Sequence, residues 1–312
     1  MQSRFFAPPH DTVVLTSNDP RLFELAGSLW REGGPSAAAA RPPIEIRIEA
    51  TEGPEPGVLA EQSAIWRHGE DEYELRLGEL LWARLELATA RIRGGVSTGV
   101  LRRDPALAAR FLLEAATAFF LGRRAFQILH AGAVAGPGGA VVVRGGSGAG
   151  KSTLVAAAWK AGLGVLADES LLVCREDPDE LASSVRDLTL LPDSVELLGL
   201  ARHATPAFSG GEEKRRVDLF GKSSPAKRSA RRRATLLLGP RDPGPARLVP
   251  LDPESFIAEF AKGEIPQERL GGDPDMVARA WTSREAYRLD GASDLAGAVR
   301  LLTLFTSGDG PR

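Results

Sequence analysis

Residues 128–170 read ILHAGAVAGPGGAVVVRGGSGAGKSTLVAAAWKAGLGVLADES, and this stretch decides the fold. AVVVRG (140–145) predicts a buried strand. The octet Gly145-Gly146-Ser147-Gly148-Ala149-Gly150-Lys151-Ser152 satisfies G-x-x-x-x-G-K-[ST]. A helix is expected from about Lys151 to Lys160. Apolar strand, glycine loop and helix in that order make a nucleotide site, because each part has a task. The glycines let the backbone curl so that several N–H groups point at phosphate oxygens. The helix start adds partial positive charge. Lys151 neutralises the β- and γ-phosphates, and Ser152 offers a hydroxyl to Mg²⁺, with Thr153 next in line. The expected cofactors are therefore ATP and Mg²⁺.

Working outward, His130 lies 21 residues before Lys151, and Asp168 lies 17 after it. FQILHAGAVAG is expected as one strand and GVLADESLLVC (164–174) as another. Asp168 then closes the apolar run GVLA and emerges at the carboxyl edge of a sheet, where α/β proteins bind ligands. A lone histidine in an apolar strand is ordinarily a core residue satisfied by backbone, so His130 gains interest only from its neighbours.

Through His130-Ala-Gly, the run GGSGAGKST (145–153) and Leu-Ala-Asp168-Glu169, the chain resembles the catalytic domain of the HPr kinase/phosphorylase family. There an HG strand, a G-x-S-G-x-G-K-S loop and an A-D-D strand end occur in the same order at similar spacing. The resemblance spans roughly 125–300 and is carried by 128–173. It implies a fold like phosphoenolpyruvate carboxykinase and ATP-dependent phosphorylation of a protein serine. Asp168 would be the base that takes the serine proton, His130 would tune it, and Ser147 would touch the transferred phosphate. Glu169, a metal ligand in this reading together with Ser152, stands where the family has Asp. The later L-E-x-R-G-x-G signature has only VELLGL (195–200) as a counterpart, without its arginine. The chain thus looks like a stand-alone relative acting on a protein or peptide serine.

FSGGEEKRRV (208–217) invites a different reading, the LSGGQ signature of ABC ATPases. An acidic strand end should then follow, but ATLLLGPRD has Gly239 in that place. The alternatives kept beside a kinase are a nucleotide-dependent ATPase or switch, and an ATP binder without transfer. In a kinase, Lys214 and Arg215 would sit on a loop whose cations reach the triphosphate. Residues 211–233 hold nine basic and three acidic side chains, which suits a solvated loop or an acidic docking partner. Phe220 is the one aromatic there, so no base-stacking platform for nucleic acid is expected.

The rest of the chain sets bounds. It has 312 residues with a net charge of −2, which offers no global field toward nucleic acid or an acidic membrane. Of its 39 basic residues six are Lys, so a lysine inside the glycine run stands out. A single cysteine, Cys174, precludes an internal disulfide or a cysteine metal site. No leader is read at the start and no apolar run near the ~20 residues of a membrane span, so the cytoplasm is expected. The fold class expected is α/β, a P-loop domain over 121–305 behind an N-terminal α+β domain over 1–120, with a disordered tail at 306–312. DPALAARFLLEAATAFFLGRRAF (104–126) is expected as the helix joining the two. The segment LWARLELATARIRGG is expected as strand, and 280–305 as strand, turn and packing helix. Oligomeric state is open, homo-oligomers included.

Overall fold

A computed structural model describes residues 1–8, 11–32, 41–56, 63–183, 187–209, 212–219, 229–240, 242–265, 268–269, 272–282 and 285–307. Of the tail expected at 306–312, Thr306 and Ser307 are the last residues of a helix instead, and 308–312 lie outside the described residues, as do most of residues 33–43 and residues 220–228 of the basic segment. The chain is mixed α/β and divides into two compact units, Met1–Arg124 with Pro206–Lys214, and Ala125–Thr205 with Arg215–Arg312.

The first unit is built on one mixed sheet. Its strands are β1 (Gln2–Ala7), β2 (Val13–Ser17), β3 (Arg31–Glu32), β4 (Ile44–Thr51), β5 (Ser63–Arg67), β6 (Glu72–Leu77), β7 (Leu81–Glu86) and β8 (Arg91–Ser97), ordered β3-β1-β2-β4-β8-β7-β6-β5. In β4, Ile44, Ile46 and Ile48 are buried while Glu45, Arg47 and Glu49 are exposed, the period-2 pattern of a sheet covered on one face. Each buried isoleucine contributes about 1.5–3 kcal/mol. Helix α1 (Pro20–Leu29) starts where the Asp19 side chain accepts from the Arg21 N–H.

Two expectations need correction here. LWARLELATARIRGG is not one strand: it folds back as the β7–β8 hairpin, turning at Leu87–Ala90, with Ala90 at φ 55°. The expected linking helix belongs wholly to the first unit. It runs Pro105–Arg124 as α2 (Pro105–Ala108), a π-helical stretch Ala109–Ala115 and α3 (Ala116–Arg124). By length and a mean hydropathy of 1.3 it would pass as a membrane span, contrary to the reading of the sequence, yet 61% of that window is buried inside the fold. A core helix satisfies the same test, and the Tyr73–Phe119 ring contact at 5.4 Å shows α3 packed on the sheet.

The second unit carries two strand ladders that share one long strand. Its strands are β9 (Phe126–Leu129), β10 (Gly132–Gly136), β11 (Gly139–Arg144), β12 (Gly164–Ala167), β13 (Leu171–Cys174), β14 (Glu180–Ala182), β15 (Asp187–Leu190), β18 (Ser229–Leu238), β19 (Arg247–Pro250) and β20 (Ala286–Asp290), while β16 (Ala204–Ser209) and β17 (Glu212–Asp218) contain the Pro206–Lys214 stretch that is grouped with the first unit. One ladder runs β12-β10-β11-β18-β20-β19 and the other β18-β14-β13-β9. Strand β18 serves both: Ser229–Arg231 pair with β14, and Arg232–Leu237 with β11. The run AVVV is continuous because both faces of β11 are covered. Val141 and Val143 join Leu154 and Val155 of α4 (Lys151–Lys160) and Leu302 and Phe305 of α7 (Leu295–Ser307). Val142 joins Phe256 and Phe260 of α5 (Pro253–Ala261) and Trp281 of α6 (Pro274–Trp281).

Candidate active site

Strand register decides which residues meet. β10 is antiparallel to both β11 and β12, with Gly132 opposite Val143 and Ala133 opposite Ala167. The start of β10 therefore lies beside the ends of β11 and β12. His130, Gly145 and Asp168, each just outside its strand, gather at one sheet edge.

This arrangement corrects two expectations. FQILHAGAVAG is not a single strand, because the chain leaves β9 at Leu129 and enters β10 at Gly132 in the other ladder. GVLADESLLVC is likewise cut into β12 and β13 by Asp168-Glu169-Ser170. Leu129 pairs with Leu171, so the two crossovers run side by side. His130 Nδ1 lies 3.2 Å from the Glu169 carbonyl oxygen. A carbonyl only accepts, so Nδ1 carries the proton and Nε2 of the neutral ring is left as an acceptor. Burial pushes the His130 pKa down, and the charge of Lys151 adds to this against the opposing carboxylate of Glu169. Asp168 is half-buried, and its Oδ2 accepts from the Thr189 N–H at 3.2 Å. Glu169 has φ 70°, a left-handed value that is uncommon outside glycine.

The glycine loop leaves β11 at Gly145, where an added Cβ would stand 3.1 Å from the Leu238 Cβ and 3.2 Å from that of Ala149. Gly148 and Gly150 sit at φ 72° and 99°, conformations that exclude most side chains. Ser147 and Gly148 form the exposed tip. The Ala149 N–H turns back to the Gly146 carbonyl at 3.2 Å. Helix α4 starts on Gly150 with no side-chain cap. The first amides of a helix have no intrahelical partner, so those of 151–153 point out of the helix start. An anion fits such a donor set.

Lys151 is 7% exposed, and its Nζ donates to the carbonyls of Gly145 at 2.8 Å and Gly146 at 3.1 Å. Burial lowers its pKa, helped by Arg144 and opposed by Asp168, Glu169 and Glu268. Ser152 is half-buried one residue into the helix. The Thr153 hydroxyl is 2.8 Å from that of Ser194.

Arg144 and Glu268 were not singled out by sequence. Arg144, fully buried at the end of β11, donates to both Glu268 carboxylate oxygens at 2.8 and 2.9 Å. Glu268 in turn accepts the His130 N–H at 2.6 Å. The partners are 124 residues apart, so no local pattern announces them.

Lys214 and Arg215, expected on a loop, both lie on strand β17 instead, Lys214 grouped with the first unit and Arg215 with the second, where it pairs with Leu190 of β15. FSGGEEKRRV lies on β16 and β17, with Gly210 and Gly211 outside the described residues. Among the described residues there is no group of three or more His, Cys, Asp or Glu side chains placed to hold a metal. A Mg²⁺ bound through one carboxylate, one hydroxyl and nucleotide phosphates needs no such cage. No family model matches the chain, and no curated protein matches it either.

Proposed function

We propose that the chain is a Mg²⁺- and ATP-dependent kinase of the HPr-kinase-like P-loop type, acting in the cytoplasm on a serine hydroxyl of a protein or peptide. The observation that carries this reading is the single sheet edge onto which register brings the glycine loop, His130 and Asp168. The loop amides and Lys151 hold the phosphates of the nucleotide, with Ser152 and Glu169 as ligands to its metal. Ser147 at the tip lies toward the transferred group. Asp168 accepts the proton as the serine oxygen bonds to the γ-phosphorus and the bond to the β,γ-bridging oxygen breaks, releasing ADP. His130, held on the Glu169 carbonyl of the same crossover, tunes Asp168. Most of the barrier in such a transfer is met by positioning and charge neutralisation, which suits a site made largely of backbone donors.

The test is incubation of the full chain with Mg²⁺, γ-labelled ATP and a cell extract. Label on phosphoserine supports the kinase. Release of inorganic phosphate alone indicates an ATPase or switch, and neither product indicates a binder.

A further inference from the structure

The Arg144–Glu268 pair is withdrawn from water, with side chains 0% and 1% exposed. Desolvation makes such a pair a poor source of stability, and apolar residues of similar size often serve as well. Its connections point elsewhere. Glu268 Oε1 accepts the His130 N–H at 2.6 Å, and an Arg144 Nη atom stands 3.4 Å from the His130 carbonyl. Both peptide groups that flank the His130 Cα thus end on the same ion pair. Gln127 Nε2 donates to the Glu268 carbonyl at 3.0 Å, fixing the acid to β9 as well. On its other side Arg144 donates from Nε to the Phe260 carbonyl at 2.9 Å, with its guanidinium 4.1 Å from the Phe260 ring centre. Gly263 completes the fit, since a Cβ there would stand 2.8 Å from the Arg144 Cγ and 3.1 Å from the Gly145 amide.

From these contacts we infer that Arg144 and Glu268 are positioning residues: the pair ties the His130 peptide to the root of the glycine loop through the acceptor bond of Glu268. Arg144 immediately precedes Gly145, so one guanidinium links the strand that launches the loop to the turn that presents the imidazole. His130 sits between ladders, where no strand partner holds its amide. The kinetic consequence rests on the kinase reading, but the structural tie does not.

Two double variants separate the tie from stability. Arg144→Met/Glu268→Gln removes both charges and keeps an oxygen for the His130 N–H. Arg144→Met/Glu268→Leu removes the charges and the oxygen. Full chain labelled with ¹⁵N-histidine has four histidine amides to follow. In the Gln variant the His130 amide should keep its exchange protection. In the Leu variant its exchange should speed up about tenfold or more, as expected for a lost hydrogen bond to a buried group. Phosphoserine formation from labelled ATP should fall at least about tenfold in kcat from the Gln to the Leu variant, with KM for ATP changed little. Equal behaviour of the two variants in amide exchange, both intact or both impaired, overturns the inference. Absence of phosphoserine from the unmodified chain overturns the kinase reading and leaves the exchange result to decide the tie.

Discussion

His130 Nδ1 and the carbonyl oxygen of Glu169, 39 residues apart, meet at 3.2 Å. The contact joins the two short crossovers at the sheet edge, so the imidazole is held by the segment that carries Asp168. A ring fixed this way, in surroundings that disfavour its protonated form, gives a pH signature.

Burial and Lys151 lower the His130 pKa from an ordinary value of 6.5. Below that value the unfolded chain binds the proton more readily than the folded one. The associated stability is complete above it and is lost as the pH falls through it toward the lowered folded value. Thermal midpoints of the chain and of His130→Asn at about pH 7.5 and about pH 5.5 check this. The drop on acidification should be smaller in the variant; equal drops would assign the acid sensitivity to other groups.

Lys151 stands between the loop carbonyls and the expected phosphates. Lys151→Met should weaken ATP binding about tenfold to a hundredfold, the range for losing charge-assisted hydrogen bonds. Calorimetric titration with Mg-ATP measures it.

The loop glycines should not be equivalent. Gly148 is at φ 72° in open space, so Gly148→Ala meets no atom but adopts a backbone disfavoured by about 1 kcal/mol. Gly146 has no positive φ, and an added Cβ would be 3.6 Å from the Lys262 carbonyl, an ordinary contact. Gly146→Ala should therefore be nearly neutral in urea unfolding while Gly148→Ala is not.

Glu169 at φ 70° is strained where a metal ligand is proposed. Glu169→Gly and Glu169→Ala both delete the carboxylate, and both should raise the Mg²⁺ concentration needed for half-maximal transfer. Only Gly relaxes the backbone, so it should be the more stable of the two by about 1 kcal/mol. Equal stabilities would contradict the strain.

Local chemistry made several elements legible from residues alone. Asp19 caps α1 as its side chain predicts, IEIRIEA alternates as a half-covered strand, and α4 runs Lys151–Lys160 after its glycines. The two crossovers were not legible, for a physical reason. Both flanks of His130 and of Asp168-Glu169 are apolar because β9, β10, β12 and β13 are all buried, so hydropathy continues where the ladder changes. A left-handed glutamate leaves no mark in composition. Nor does the pairing of Arg144 with Glu268, which depends on long-range placement.

With Asp168 proposed as the base beside a bound nucleotide, Asp168→Asn should separate nucleotide binding from transfer. The amide keeps an oxygen for the Thr189 N–H but is no longer a carboxylate base. Calorimetric titration with Mg-ATP, paired with phosphoserine labelling of the same preparation, is the measurement. ATP affinity should stay within a few-fold of that of the unmodified chain, and transfer should fall by a factor of about 10² or more. Transfer that survives the substitution, or ATP binding lost along with it, would rule out Asp168 as the base.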